Sequence, residues 1–251
     1  MGILLVSNVD KDLHAAKHGL VKNIVDLHSP QVLSVAAENG KLNVVKEMAK
    51  NGLDLKEASM HAAAKGHLHV VNFIMEKQPL ADTVLLYGAI GKHINIVKAA
   101  LANGALNVNE AMLKASSSNA KNIIELLIHY GASSFSLAFA VAIDREHNDL
   151  IEYFLNIGIT DLRLGFLTAV AKHNNDLAKR LLEMGANNYN EALREASYHG
   201  NMEIISVLLD LGANDIETSF LLAKKAGNVQ VSTFLKSKLP ADDDSCSSDE
   251  D

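Results

Sequence analysis

The sequence predicts an all-α fold, a helix-turn-helix solenoid of about nine short repeats. Three observations carry that prediction. The phrase LLDLGA at 208–213 returns as LLEMGA at 181–186 and as LIHYGA at 127–132, self-similarity at multiples of 27 residues. Two ladders of small residues run through the chain with nearly the same step. The composition is 48% apolar and only 5% aromatic, with no Trp and prolines only at 30, 79 and 240. The core must therefore be built from Ala, Leu, Ile and Val, a balance that suits closely packed helices.

The period is anchored on Gly40, Gly66, Lys92, Asn119, Glu146, His173, Gly200 and Gly227, which follow one another at steps of 26 or 27. Four residues before each anchor the side chain is always small: Ala36, Ala62, Gly88, Ala115, Ala142, Ala169, Ala196 and Ala223. Twelve residues after the anchors come Gly52, Gly104, Gly131, Gly158, Gly185 and Gly212, with breaks at Gln78 and Leu239. Upstream, Ala15, Ala16 and Gly19 suggest a ninth, divergent copy, spaced only 21 residues from Gly40. The expected organisation is a capping repeat over 1–30, an array over 31–239 and an acidic, disordered tail over 240–251.

Within one unit the spacing predicts two helices. In the copy at 191–213, Asn190 is placed to cap a first helix whose Leu193, Ala196 and Ser197 share a face, and Gly200 ends it. Asn201 is placed to cap a second, in which Ile204, Ile205, Leu208, Leu209 and Leu211 form an apolar stripe before Gly212. The small residue on the first helix lets neighbouring helices approach. One such unit buries too little to fold alone, so stacking is required.

The phrases AAENGKLNVVKEMAKNGLD at 36–54 and ASYHGNMEIISVLLDLGAND at 196–215 resemble the core of ankyrin repeats, and the resemblance covers about residues 12–239. The units depart from that family in length, about six residues short of the usual 33, and in lacking its T-P-L-H turn. The missing residues are those of the projecting hairpin finger. The resemblance implies a noncatalytic scaffold that binds a protein along a concave groove. It implies that the two residues before each turn face this groove, which gives Glu38, Lys65, Asp144, Arg145, Lys172, Tyr198, His199 and Lys225 as candidate binding residues. Degenerate arrays rich in Asn, Lys and Ile also resemble those of intracellular bacteria and large DNA viruses, and imply a host-directed protein.

Bulk chemistry narrows the partners. Of the formal charge of −7, the tail residues Asp242, Asp243, Asp244, Asp249, Glu250 and Asp251 supply −6. The body therefore has no excess positive charge for nucleic acid or anionic lipid. The longest wholly apolar run, Leu137 to Ile143, is far below the roughly 18 residues that span a bilayer. The stretch Ile3 to Val6 is too short for a secretion signal, and Val6 stands where a myristoylation motif wants Ser or Thr. With Cys246 as the one cysteine, an intracellular, cytoplasmic and monomeric protein is expected.

Motifs that suggest chemistry have plainer explanations. LYGAIGKH at 86–93 lacks both the leading Gly and the Ser or Thr of a phosphate loop and falls on a first helix. His14 and His18 lie at i, i+4 and His67 and His69 form H-x-H, but neither pair has a third metal ligand nearby. His67, His93 and His147 directly follow turn positions and are expected to serve those turns. No catalytic residue, cofactor or metal is expected. Ser247 and Ser248 each precede an acid by three residues, which suits an acidophilic kinase, although the tail equally serves as a solubilising segment. Competing functions are an enzyme using the array as a substrate clamp and a structural spacer.

Overall fold

The computed structural model describes residues 7–240, and among these there are seventeen α-helices and no strand. Helix α1 (Asn8–His18) is followed by a 3-10 turn (Val21–Asn23). Pairs then follow: α2 (Pro30–Glu38) with α3 (Leu42–Ala49), α4 (Lys56–Ala64) with α5 (Leu68–Lys77), α6 (Ala81–Ile90) with α7 (Ile94–Ala102), and α8 (Val108–Ser117) with α9 (Lys121–His129). The next are α10 (Phe135–Asp144) with α11 (Asn148–Asn156), α12 (Arg163–Ala171) with α13 (Asn175–Glu183), α14 (Tyr189–His199) with α15 (Met202–Asp210), and α16 (Ile216–Ala226) with α17 (Val229–Lys236). The described residues form two compact units that meet between Ala142 and Ile143 in the sequence. In the first, α2, α4, α6 and α8 pack in succession; in the second, α12, α14 and α16 do.

The anchor residues have the backbone that the period implies. Gly40, Gly66, Gly200 and Gly227 have φ of 67°, 80°, 79° and 79°, and Lys92, Asn119, Glu146 and His173 lie at 62°, 55°, 57° and 57°. This left-handed residue folds the chain back so that the next N–H donates to the carbonyl of the small ladder residue: Lys41 to Ala36 at 2.8 Å, His67 to Ala62 at 2.9 Å, Asn201 to Ala196 at 2.8 Å and Asn228 to Ala223 at 2.9 Å. The ladder side chains are themselves buried. At Gly88 a Cβ would come within 2.7 Å of Ile96, so even Ala would crowd that joint.

The turn is also where one repeat meets the next. His67 Nε2 donates to the Glu38 carbonyl at 2.7 Å and His93 Nε2 to the Ala64 carbonyl at 3.1 Å. Asn201 Nδ2 reaches Val170 O at 3.0 Å, and Asn228 Nδ2 reaches Tyr198 O at 2.7 Å. Glu38, Ala64 and Tyr198 carbonyls at the ends of preceding first helices are thereby satisfied, while Val170 O, which already accepts from His173 N at 3.2 Å, gains a second donor. The two histidines make no capping bond to their own helices, so their service is to the neighbouring repeat. Asn201 does both, accepting also from Ile204 N.

Two details of the 191–213 unit differ from expectation. Asn190 does not cap α14, whose N-cap is Asn188; its Oδ1 accepts instead from Asn214 N (2.7 Å) and Asp215 N (3.2 Å) of the following loop. Asp82 does the same for Leu106 and Asn107, and Asn109 for Ser133 and Ser134. A polar side chain in the first turn of a first helix thus braces the next loop, a job the local helix pattern does not reveal. Leu211 lies off the apolar stripe, 44% exposed, because α15 ends at Asp210 and the chain turns away.

Both ends of the helical region carry polar substitutions. Three residues before the turn, Ala37, Ala63, Ala89, Ser116, Val170 and Ser197 are buried, whereas the last pair has exposed Lys224. Five residues after the turn, Val45, Val71, Val97, Ile124, Ile151 and Ile205 are buried, whereas the last pair has Ser232, which is not. Two positions that are apolar or buried in the other pairs are thus polar in the last one, although Leu221 and Val229 of that pair are exposed. At the other end Asp12, 3% exposed, accepts from Val25 N and Asp26 N at 2.9 Å each and fixes the short connection after α1.

Non-glycine residues at positive φ cost about 1–2 kcal/mol. Lys92→Gly and Glu146→Gly are therefore expected to raise the melting temperature. His173→Gly should gain less, since that ring also donates to His199 O at 3.0 Å. Gly40→Ala and Gly66→Ala should lower it, because the added Cβ would stand 2.7 Å from the ring of His67 or His93. Thermal unfolding of the five variants checks the assignment; a fall with both Lys92→Gly and Glu146→Gly would contradict it.

Candidate partner-binding groove

The predicted binding residues all lie at the C-terminal ends of first helices, because the turn that follows each helix sets their register. Glu38 ends α2 and Lys65 directly follows α4; their side chains pair at 3.4 Å in the first unit. The other six belong to the second unit. Asp144 ends α10, Arg145 and Lys172 directly follow α10 and α12, and Tyr198 and His199 end α14. Lys225 is in the last turn of α16 and is exposed.

In the second unit three of these residues come together around one cleft. Asp144, Lys172 and His199 line a cavity of about 580 Å³, whose remaining walls include Leu164, Leu167, Thr168, Ala171 and Glu195. Three successive first helices, α10, α12 and α14, contribute to it. Lys172 Nζ stands 2.9 Å from Asp144 and Arg145 Nε 3.6 Å from the same carboxylate, so one acid is shared by two cations. Glu195 approaches His199 at 3.2 Å, and the Tyr198 ring meets His199 edge-on at 5.1 Å between centroids. Tyr198 is 48% exposed. The cleft thus offers an apolar wall, a rim of both charge signs and an adjacent exposed phenol.

Tyr198, Arg145 and Lys225 are not on the cleft wall. Leu164, Leu167 and Glu195 are, and sequence reasoning passed them over. Helical spacing is the signal that finds Glu195, which lies four residues before His199.

Hydrogen bonding to Lys172 is the largest influence on the Asp144 carboxyl and holds it below the ordinary carboxylate value, against a smaller opposing effect of burial. On the second helices, Arg180 depresses Glu152 in the same way, and Lys179, with Asn175, depresses Glu203. Glu203 joins two repeats, accepting from Lys179 at 2.6 Å and Asn175 at 2.8 Å. The physical reason is that a carboxylate on α15 lies within reach of donors on α13.

The histidine pairs stay close, with ring centroids 4.5 Å apart for His14 and His18 and 6.2 Å for His67 and His69. Among the described residues no group of three or more His, Cys, Asp or Glu is placed to hold a metal ion, and no helix is long and apolar enough to cross a membrane. Ser247 and Ser248 lie outside the described residues, as do residues 241–251 generally.

No family model matches the chain, and no curated protein matches it. Among solved structures it is similar to the ankyrin repeat domain of human ASB11, at 23% identity and a TM-score of 0.49, with 70% of this chain and 96% of that one covered. The helix pairs, their left-handed turns and the repeat phrases of this chain make each unit an ankyrin-like helix-turn-helix.

Because the folded state lowers the Asp144 pKa, the contribution of its pair with Lys172 is full above the ordinary carboxylate range and is lost as pH falls through the depressed value. NMR titration of the Asp144 carboxyl is expected to give a midpoint below about 3.9, the model-peptide value. Lys172→Gln should move that midpoint upward. An unmoved midpoint would show that the pair does not form in solution.

Proposed function

We propose that the protein is a noncatalytic scaffold that binds an extended or helical protein segment across the ends of α10, α12 and α14. The observation that carries this reading is the cleft bounded by Asp144, Lys172 and His199, one residue from each of three successive repeats, with exposed Tyr198 beside it. A segment laid over it meets apolar wall and paired charge in alternation, and an aromatic anchor of the kind that dominates interface energetics. A partner must compete with the Lys172–Asp144 pair. It therefore gains most by presenting its own carboxylate to Lys172 and a donor to Asp144. The resemblance of the repeats to ankyrin units supports a protein rather than a small molecule as the target. The proposal extends to action in a host cell, supported by the Asn-, Lys- and Ile-rich composition of the repeats.

Affinity capture from host and self lysates, quantified for wild type, Tyr198→Ala and Lys172→Glu, tests the groove. Proteins retained by wild type should be lost from both variants. For a captured partner, Tyr198→Ala should weaken binding by at least about 2 kcal/mol, the usual hot-spot threshold. Glu183→Ala, at an exposed position ending α13, should leave binding unchanged. Equal retention by all the chains would move the binding surface elsewhere.

A further inference from the structure

Away from the groove positions the chain repeats a local motif twice. V-x-x-F-x-x-x-K-x-P occurs as Val70, Phe73, Lys77 and Pro79, and again as Val231, Phe234, Lys238 and Pro240. These are the two repeats in which the second glycine is missing, replaced by Gln78 and Leu239. A cavity opens at each, about 450 Å³ in the first unit and about 490 Å³ in the second. The two are built in one register. Phe73 and Lys77 line the first, as Phe234 and Lys238 line the second. The facing wall comes from the preceding second helix, residues 46, 49 and 50 in one case and 206, 209 and 210 in the other.

The same architecture carries different charge. Where the second cavity has Ser206 and Asp210, the first has Lys46 and Lys50. Lys46 Nζ and Lys77 Nζ stand 5.6 and 5.8 Å from the centroid of the half-buried Phe73 ring, and Lys50 is held by Glu47 at 2.6 Å. The floor is apolar, with Ala49, Leu53 and the buried Leu55. Its loop is also braced differently from the others. Gln78 Oε1 accepts from Leu55 N at 3.2 Å and its Nε2 donates to Leu53 O at 3.4 Å, so support comes from the following repeat. At Leu106, Ser133 and Asn214 it comes from the preceding one. The residue that interrupts the glycine ladder is thus the residue that holds the cavity floor.

We infer that this first cavity is a second docking site, for an acidic peptide segment that inserts one aliphatic side chain between Phe73 and Leu55. Charge complementarity selects the segment: the ammonium groups of Lys46 and Lys77, beside the Lys50–Glu47 pair, rim an apolar cleft on a body whose formal charge is close to balanced. The volume suits one branched aliphatic side chain with its flanking backbone. A phosphate or polyphosphate would use the lysines but leave the apolar floor uncovered. The chain's own residues 241–251 supply acids but no large apolar side chain. The site is independent of the proposed groove, and none of the groove residues lines it.

The test uses the full chain and a fluorescein-labelled peptide, Glu-Asp-Glu-Leu-Asp-Glu, followed by anisotropy and by 15N NMR. Binding should saturate below millimolar peptide, weaken as salt rises, and shift the amides of Phe73, Lys77 and Gln78. Lys46→Glu combined with Lys77→Glu, both exposed positions, should weaken it at least tenfold, and so should replacing the peptide's Leu by Ala. Lys238→Glu should leave it unchanged. Absence of binding, equal affinity for the Leu and Ala peptides, shifts confined to Lys65 or Lys172, or full competition by inorganic phosphate would each overturn the inference.

Discussion

A pair of short helices has nowhere to bury its apolar side chains except against the next pair, and the rest of the structure follows from that constraint. Val44, Val45 and Met48 on one second helix, and Ile204, Ile205 and Leu208 on another, are all removed from water although each helix is only about two turns long. Removal is possible because first helices pack closely, and they pack closely because each carries a residue no larger than Ala at its ladder position. The left-handed turn then fixes where the second helix begins. Its hydrogen bond to the ladder carbonyl ties helix spacing and turn geometry into one unit. Where the turn residue is not glycine, the chain accepts strain at the joint to keep the register.

Polar groups complete what burial begins. The reach of His67, His93 and Asn228 to carbonyls of the preceding repeat satisfies helix ends that would otherwise face a neighbour unpaired, and Asn201 adds a second donor to Val170 O. In the second unit this stitching is joined by ion pairs between repeats, Arg163 with Glu191, Arg180 with Glu152 and Lys179 with Glu203. These pairs are exposed, so solvent and salt reduce their worth. Their effect is on register and on the charge pattern that the surface presents. The same repetition creates sites where it is broken, as at Gln78, where one substitution both ends α5 without a left-handed glycine and props the preceding loop.

Much of this was legible in the sequence because the repeat is a periodic object. Gly40, Gly66, Gly200 and Gly227 announced their turns, and Lys92, Asn119, Glu146 and His173 could be assigned the same backbone only because the period placed them in line. Asn190 was misassigned because an Asn near a helix start reads locally as a cap, while its partners, Asn214 and Asp215, lie in the next repeat. Comparison along the period would have revealed the polar ending at Lys224 and Ser232, a contrast invisible within one unit. The candidate groove residues were placed by the register of the turn. The cleft wall of Leu164 and Leu167, and the cavity at Phe73, depend on how neighbouring helices splay, which residue types in one repeat do not encode.

The central claim is that stability resides in the interfaces between consecutive helix pairs rather than in the pairs. Urea unfolding of the full chain and of fragments ending at Gly104 and Gly131 tests it most directly. The account requires a midpoint that is lowest for the shortest fragment and rises with each added pair, because each added pair supplies one more shared apolar layer. Equal midpoints for all three chains would contradict it, since each pair would then hold its own core.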